Sequence, residues 1–178
     1  MKKLQLIILC LLYSIGAIGQ QTMPVDHEVM QLKLPKATQK LNEQQLMGLS
    51  HNGFSEKTIS YFHDHIYKKD GLLIYYLNSS VSPKLKKSME NNQKMMVSLT
   101  NQESGSIVDN SKIITINNIR FSIIEYHNKD NWYLWFTSDY DKDLKFINGF
   151  IEYKKPDEAK AKQYLQDLLK DMHFKNQQ

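Results

Sequence analysis

Two hydrophobic periods, arranged in blocks, predict an α+β fold: an antiparallel β-sheet meander sandwiched by helices. Residues 107–154 read as strands joined by short turns, with apolar and aromatic side chains recurring every second position. Residues 156–172 switch to a helical period, and so do segments between 42 and 105. No repeat or low-complexity segment interrupts residues 28–175, which are expected to form a single α+β domain.

The elements follow in order. Residues 20–27 contain Pro24 and no periodicity, and are read as a flexible leader. Over 28–34, Met30, Leu32 and Leu34 alternate with Gln31 and Lys33, a half-buried strand stopped by Pro35. Asn42 supplies a cap for a short helix over 43–49, which ends at the breaker Ser50-His51-Asn52-Gly53. Ser55 supplies a cap for a second helix in which Ile59, Phe62 and Ile66 share a face, with Gly71 just past its end. The stretch 58–68 is also aromatic and β-branched enough to be a strand turning at Asp70-Gly71, so helix and strand both stand.

Residues 72–77 are a continuous apolar run, the pattern of a strand covered on both faces. Ser82-Pro83 then opens a helix along which Leu85, Met89, Met96 and Leu99 recur, ending over 101–105. Its methionines read as core filler. Beyond Ile107, strands over 112–116 and 119–127 flank Asn117-Asn118, a tight hairpin. A turn over 128–131 leads to a strand over 132–140, and 141–143 leads into 144–154. A turn at Asn148-Gly149 would leave stubs too short to pair, so that pair is read as a glycine bulge in one bent strand. Pro156-Asp157-Glu158 starts the last helix, with Tyr164, Leu165, Leu168, Leu169 and Met172 as its apolar stripe and Phe174 beneath its end.

Residues 1–19 read as a signal peptide: Lys2 and Lys3 as the positive region, 4–15 as the apolar region, Ala17-Ile18-Gly19 as the cleavage site. Crossing a bilayer takes roughly 20 apolar residues. This run is shorter and contains Gln5, so no stable membrane anchor is expected after cleavage, and Gln20 or Gln21 becomes the first residue. Cys10 follows Leu9 inside the run and does not fit a lipidation site. The expected destination is the periplasm or the outside of the cell.

Cys10 is the only cysteine, so an exported domain has no disulfide, no thiol nucleophile and no thiolate metal site. A domain of about 160 residues buries enough surface to be held by its core, roughly 68 to 70% of what its unfolded chain exposes. The net charge of +4 falls to about +2 without Lys2 and Lys3. Arg120 is the only arginine, whereas phosphate and base readout lean on the guanidinium. A nucleic-acid partner is therefore not expected, and no motif for a cofactor is present.

Four groups of residues are weighed as sites. His63-Asp64-His65 has metal-ligand residues, with His27, His51, His127 and His173 as further donors. In a helix residues two apart point about 200° away from each other, so only a strand would let His63 and His65 share an ion. Asp139, Asp141 and Asp143 have the spacing of the first calcium-loop ligands, but Leu144 and Phe150 stand where such a loop needs Gly and Glu. A solvated turn is the expected reading, with a weak ion site between turns as the alternative. Glu125 and His127 share a strand face and form a candidate acid-base pair, with Glu152 on a neighbouring strand. Ser122 or Ser138 would supply a hydroxyl, yet no nucleophile elbow or glycine-rich phosphate loop accompanies them.

The last group is aromatic. Trp132, Leu134 and Phe136 project to one sheet face and Tyr133 and Trp135 to the other. Tyr133 and Trp135, joined across strands by Tyr126 and Tyr153, form a platform for an apolar ligand, a glycan or a partner protein if helices leave them uncovered. If helices cover both faces, they are core.

The early strand ending Leu32-Lys33-Leu34-Pro35, the meander 119–154 and the closing helix 156–172 with Phe174 resemble exported bacterial proteins of PsbP-like fold. The resemblance covers about 28–175. It implies an antiparallel sheet sandwiched by helices and an accessory or binding role, mostly without catalysis, and transfers no functional motif. The leading expectation is an exported, non-enzymatic binding or accessory protein. A hydrolase-like enzyme using His127 with Glu125 and a structural subunit of an envelope complex are the alternatives.

Overall fold

A computed structural model of the chain describes residues 30–31, 34–51, 62–103 and 105–174. Residues 1–29 and 52–61 lie outside the described residues, and with them the expected signal peptide, the expected leader and the beginning of the helix expected after Ser55. The elements are β1 (Met30–Gln31), β2 (Gln39–Lys40), α1 (Glu43–His51), β3 (Ile66–Lys69), β4 (Leu72–Ser80), α2 (Met89–Gln102), β5 (Ile107–Ile116), β6 (Ile119–His127), β7 (Trp132–Ser138), β8 (Lys145–Tyr153), α3 (Glu158–Lys170) and β9 (His173–Phe174). Seven strands form one sheet in the order β2-β3-β4-β8-β7-β6-β5, with every neighbouring pair antiparallel. β5 to β8 are the expected meander, and β4 returns to pair with β8.

The alternation of side chains divides the interior in two. Ile74, Phe121, Leu134, Phe136 and Ile151 face α3, whose Tyr164, Leu165, Leu168 and Leu169 are all buried. Tyr75, Leu77, Ile124, Tyr133, Trp135 and Phe150 face the other way, toward Leu46 of α1 and Met96 and Val97 of α2. Helices thus cover both faces of an antiparallel sheet, an α+β fold. β1 and β9 form a separate two-stranded ribbon, and Phe174 of β9 is buried in the α3 core.

Local chemistry explains the boundaries. Asn42 and Gln45 cap α1 reciprocally, each side chain bonding the other's backbone N–H at 2.9 Å. After Phe62, residues 63–65 form a 3-10 turn and Ile66–Lys69 is a strand, so the strand reading holds for that end of 58–68. Asp70 (φ 48°) and Gly71 (φ 87°) close the β3-β4 hairpin, and Asn117 (φ 51°) and Asn118 (φ 61°) close β5-β6, both with the paired positive φ of a type I′ turn.

Two expectations are corrected. Ser82-Pro83 opens only a 3-10 turn, Pro83–Leu85, and α2 starts six residues later with Ser88 as its cap, accepting from the Asn91 N–H at 3.2 Å. Gly149 is no bulge, because the β8 register runs unbroken past it against β4 and β7. A side chain there would strike the Phe136 ring and sit 2.8 Å from the Tyr76 Cβ, so glycine is required by packing. The bulge lies in β5, between Val108 and Asn110.

Candidate functional site

Between α2 and the sheet lies a cleft that encloses about 70 Å³. Met89, Gln93 and Met96 recur on one face of α2 and form its helical wall. On the sheet side Ser122 and Ile124 of β6, Trp135 of β7 and Asn148 of β8 all point toward it, since the register places them on the same face. Tyr140 stands at the rim, its hydroxyl accepting from Asn92 Nδ2 of α2 at 2.8 Å and its ring edge-on to Phe146 at 5.4 Å.

Trp135 is fixed in this wall. Its indole N–H donates to Asn148 Oδ1 at 2.5 Å, and Thr137 Oγ1 donates to the same oxygen at 2.9 Å. The Asn148 carbonyl is thereby occupied, while its Nδ2 makes no hydrogen bond among the described residues. Gln93 Nε2 is buried with no hydrogen-bond partner among the described residues. The cleft is apolar in area, and its polar groups include the Gln93 and Asn148 amides, whose nitrogens are available as donors.

The aromatic residues predicted as a platform occupy known places. Tyr126, Tyr133 and Trp135 share a face, at 3, 4 and 2% exposure, so they present no open platform. Tyr153 stands on the opposite face, cross-strand from Trp132 and packed with Tyr164, and cannot join them. Trp135 stacks on Phe150 at 5.2 Å and Phe150 on Tyr75 at 5.2 Å, one aromatic row across three strands. Of the four, only Trp135 borders the cleft.

Beside that row sits a half-buried acid among phenols. Tyr126 and Tyr133 stack at 4.8 Å. Burial pushes the Glu152 carboxyl up to about 7, against the pull of Lys154, while Asn131 Nδ2 donates to its Oε1 at 2.7 Å. Burial likewise raises Glu103, past the end of α2, to about 7. Burial first, and then the charge of Glu152, hold the Tyr75 and Tyr133 hydroxyls well above their ordinary range.

The acid-base pair is on the α3 side and engaged elsewhere. Glu125 is buried against Lys162 at 2.8 Å and Lys112 at 3.8 Å. His127 Nδ1 is 2.8 Å from Asp109 Oδ2, which the β5 bulge turns toward it, and its ring stacks on Trp132 at 5.5 Å. Glu152, cross-strand from Tyr133, is on the other sheet face from both.

The remaining candidates are placed as follows. Residues 63–65 form a 3-10 turn, and the His65 ring lies tilted against Tyr76 at 4.7 Å; the His63 side chain lies outside the described residues. Asp141 Oδ1 accepts the backbone N–H groups of Asp143 at 2.9 Å and Lys145 at 2.8 Å, and Asp139 Oδ1 that of Tyr140 at 2.9 Å. These are turn-closing bonds. Among the described residues no three His, Cys, Asp or Glu gather to hold a metal ion.

Sequence reasoning missed the cleft itself, with Gln93 and Asn148. A signal was present: Gln93 interrupts an apolar stripe between Met89 and Met96, where a filler helix would carry another apolar residue.

The sequence matches no protein-family model and no curated protein. Among solved structures, the chain is similar to the solution structure of cyanobacterial PsbP (CyanoP) from Synechocystis sp. PCC 6803, at a TM-score of 0.47 and 11% identity, covering 89% of this chain and 99% of that one.

Proposed function

We propose that this chain is an exported, non-enzymatic binding protein whose ligand is a small apolar molecule held in the cleft between α2 and the sheet. One observation carries the reading: three methionines, Ile124 and the hydrogen-bonded Trp135 wall a cleft whose buried amide groups have donors to spare. Methionine side chains adapt to an irregular guest, which suits a binding wall. A glycan fits less well, because sugars need more polar partners than the cleft supplies. The hydrolase alternative loses support from the contacts that hold Glu125 to Lys162 and His127 to Asp109. Export rests on residues 1–19; no helix among the described residues is long and apolar enough to cross a membrane.

The test uses the indole in the wall. Replacing Trp132, on the opposite sheet face, by Phe leaves Trp135 as the only tryptophan. Titrating W132F with 1-octanol should change its emission saturably, and adding Met96→Phe, which fills the cleft, should abolish the change while circular dichroism stays intact. A response that never saturates, or that survives Met96→Phe, sinks the reading.

A further inference from the structure

We propose that the ligand of this cleft is an unbranched alkyl carboxylate, its chain among the methionines and its head group at the lysines of residues 82–88; this rests on the cleft being a ligand site. Three features select that chemistry. The first is the lining. Met89, Met95, Met96, Ile124 and Trp135 wall the cleft, and methionine side chains adapt to a flexible guest. An unbranched alkyl chain, free to bend along its length, suits such a wall.

The second is charge at the mouth. Residues 82–88 carry Lys84, Lys86 and Lys87 and no acid. Lys86 Nζ lies 5.9 Å from the centre of the Tyr140 ring, and Lys87 Nζ donates to Met95 Sδ at 3.4 Å. Tyr140 and Met95 both line the cleft, so two ammonium groups sit at its edge. Asp139 is the one acid in the lining; its Oδ1 is taken by the Tyr140 N–H, and Arg120 lies within reach of its charge.

The third is the sign of the unused polar groups. Gln93 Nε2 is a buried donor without a partner among the described residues, and Asn148, with its oxygen doubly occupied, has only its Nδ2 to offer. Such donors favour an acceptor, and an ammonium head group would face Lys86 and Lys87 with Asp139 as the one acid in the lining to meet it. A carboxylate has acceptor oxygens for donors of this kind and the charge that the lysines attract.

W132F titrated at pH 8 and low salt with octanoate, 1-octanol and octylammonium separates the terms, since the chain is constant and the head group varies. Octanoate should bind about three- to tenfold more tightly than 1-octanol, the range expected for two exposed ammonium groups, and octylammonium more weakly than either. Lys86→Gln with Lys87→Gln should erase the octanoate advantage and leave 1-octanol unchanged, and 0.5 M salt should do the same. Equal binding of octanoate and octanol, or a preference for octylammonium, overturns the carboxylate assignment while leaving an apolar cleft. Absence of saturable binding by all three overturns the cleft reading and this one with it.

Discussion

Glu152 places a half-buried ionisable carboxyl beside Tyr75 and Tyr133, and partial desolvation raises its folded-state value to about 7, well above the ordinary 4.5. Below pH 4.5 the group is protonated folded or unfolded and contributes no difference. Between 4.5 and about 7 the folded state holds the proton that the unfolded state has released, so stability falls as pH rises and levels off above about 7. Glu152→Gln keeps an Oε1 to accept from Asn131 and removes the ionisation. The stability difference between E152Q and wild type, from urea midpoints, should be near zero at pH 4 and reach about 2–3 kcal/mol in favour of E152Q at pH 8. A difference that does not change with pH would remove Glu152 as the cause. Comparing the two proteins at each pH cancels other groups, such as Glu158, which Lys155 and Lys162 hold down at about 2. The residue scale is also where the sequence is least legible. Face alternation predicts that Trp135 and Tyr133 point together, and they do, but period alone says nothing of what a helix lays over them.

The β5-β6 hairpin shows two identical residues with different tasks. Asn117 and Asn118 both have positive φ, and both are visible in the sequence as a hairpin signal. Only Asn117 reaches beyond the turn: its Nδ2 donates to the carbonyls of Lys170 at 2.7 Å and Met172 at 3.3 Å, satisfying acceptors at the end of α3. Asn118→Gly should therefore be neutral or stabilise by up to about 1 kcal/mol, since glycine takes positive φ without steric cost. Asn117→Gly keeps the turn and loses the helix contact, and should destabilise by about 1 kcal/mol. Thermal or urea unfolding of the two variants decides it; equal effects would mean that the contact with α3 contributes nothing. Elements with strong local chemistry are read correctly from sequence: this hairpin, the Asn42 cap and the α3 stripe are examples. The start of α2 is misread because Ser82-Pro83 and Ser88 both carry helix-start signals, and tertiary packing rather than propensity selects the second. Gly149 fails for a related reason, as its neighbour Phe136 arrives from another strand.

At the scale of the molecule, the sheet is shared property. β4, β6, β7 and β8 each send alternate side chains to the α3 core and to the core under α1 and α2. Losing either core exposes one face of the same hydrogen-bonded backbone, so the two layers should not melt separately. The chain carries a reporter for each: Trp132 packs against the α3 core, and Trp135 is buried in the other. In W135F the emission comes from the α3 side, and in W132F from the α2 side. Within each variant, urea transitions followed by fluorescence and by far-ultraviolet circular dichroism should overlay with one midpoint. W135F should unfold at lower urea throughout, because it loses the bond to Asn148 and part of a fully packed ring. Its two probes should nonetheless agree. If instead the W132F fluorescence transition precedes its loss of strand signal, the α1-α2 layer opens independently of the sheet. Such opening would expose the methionine wall of the cleft, and ligand entry would then follow layer movement in place of passage through a fixed mouth.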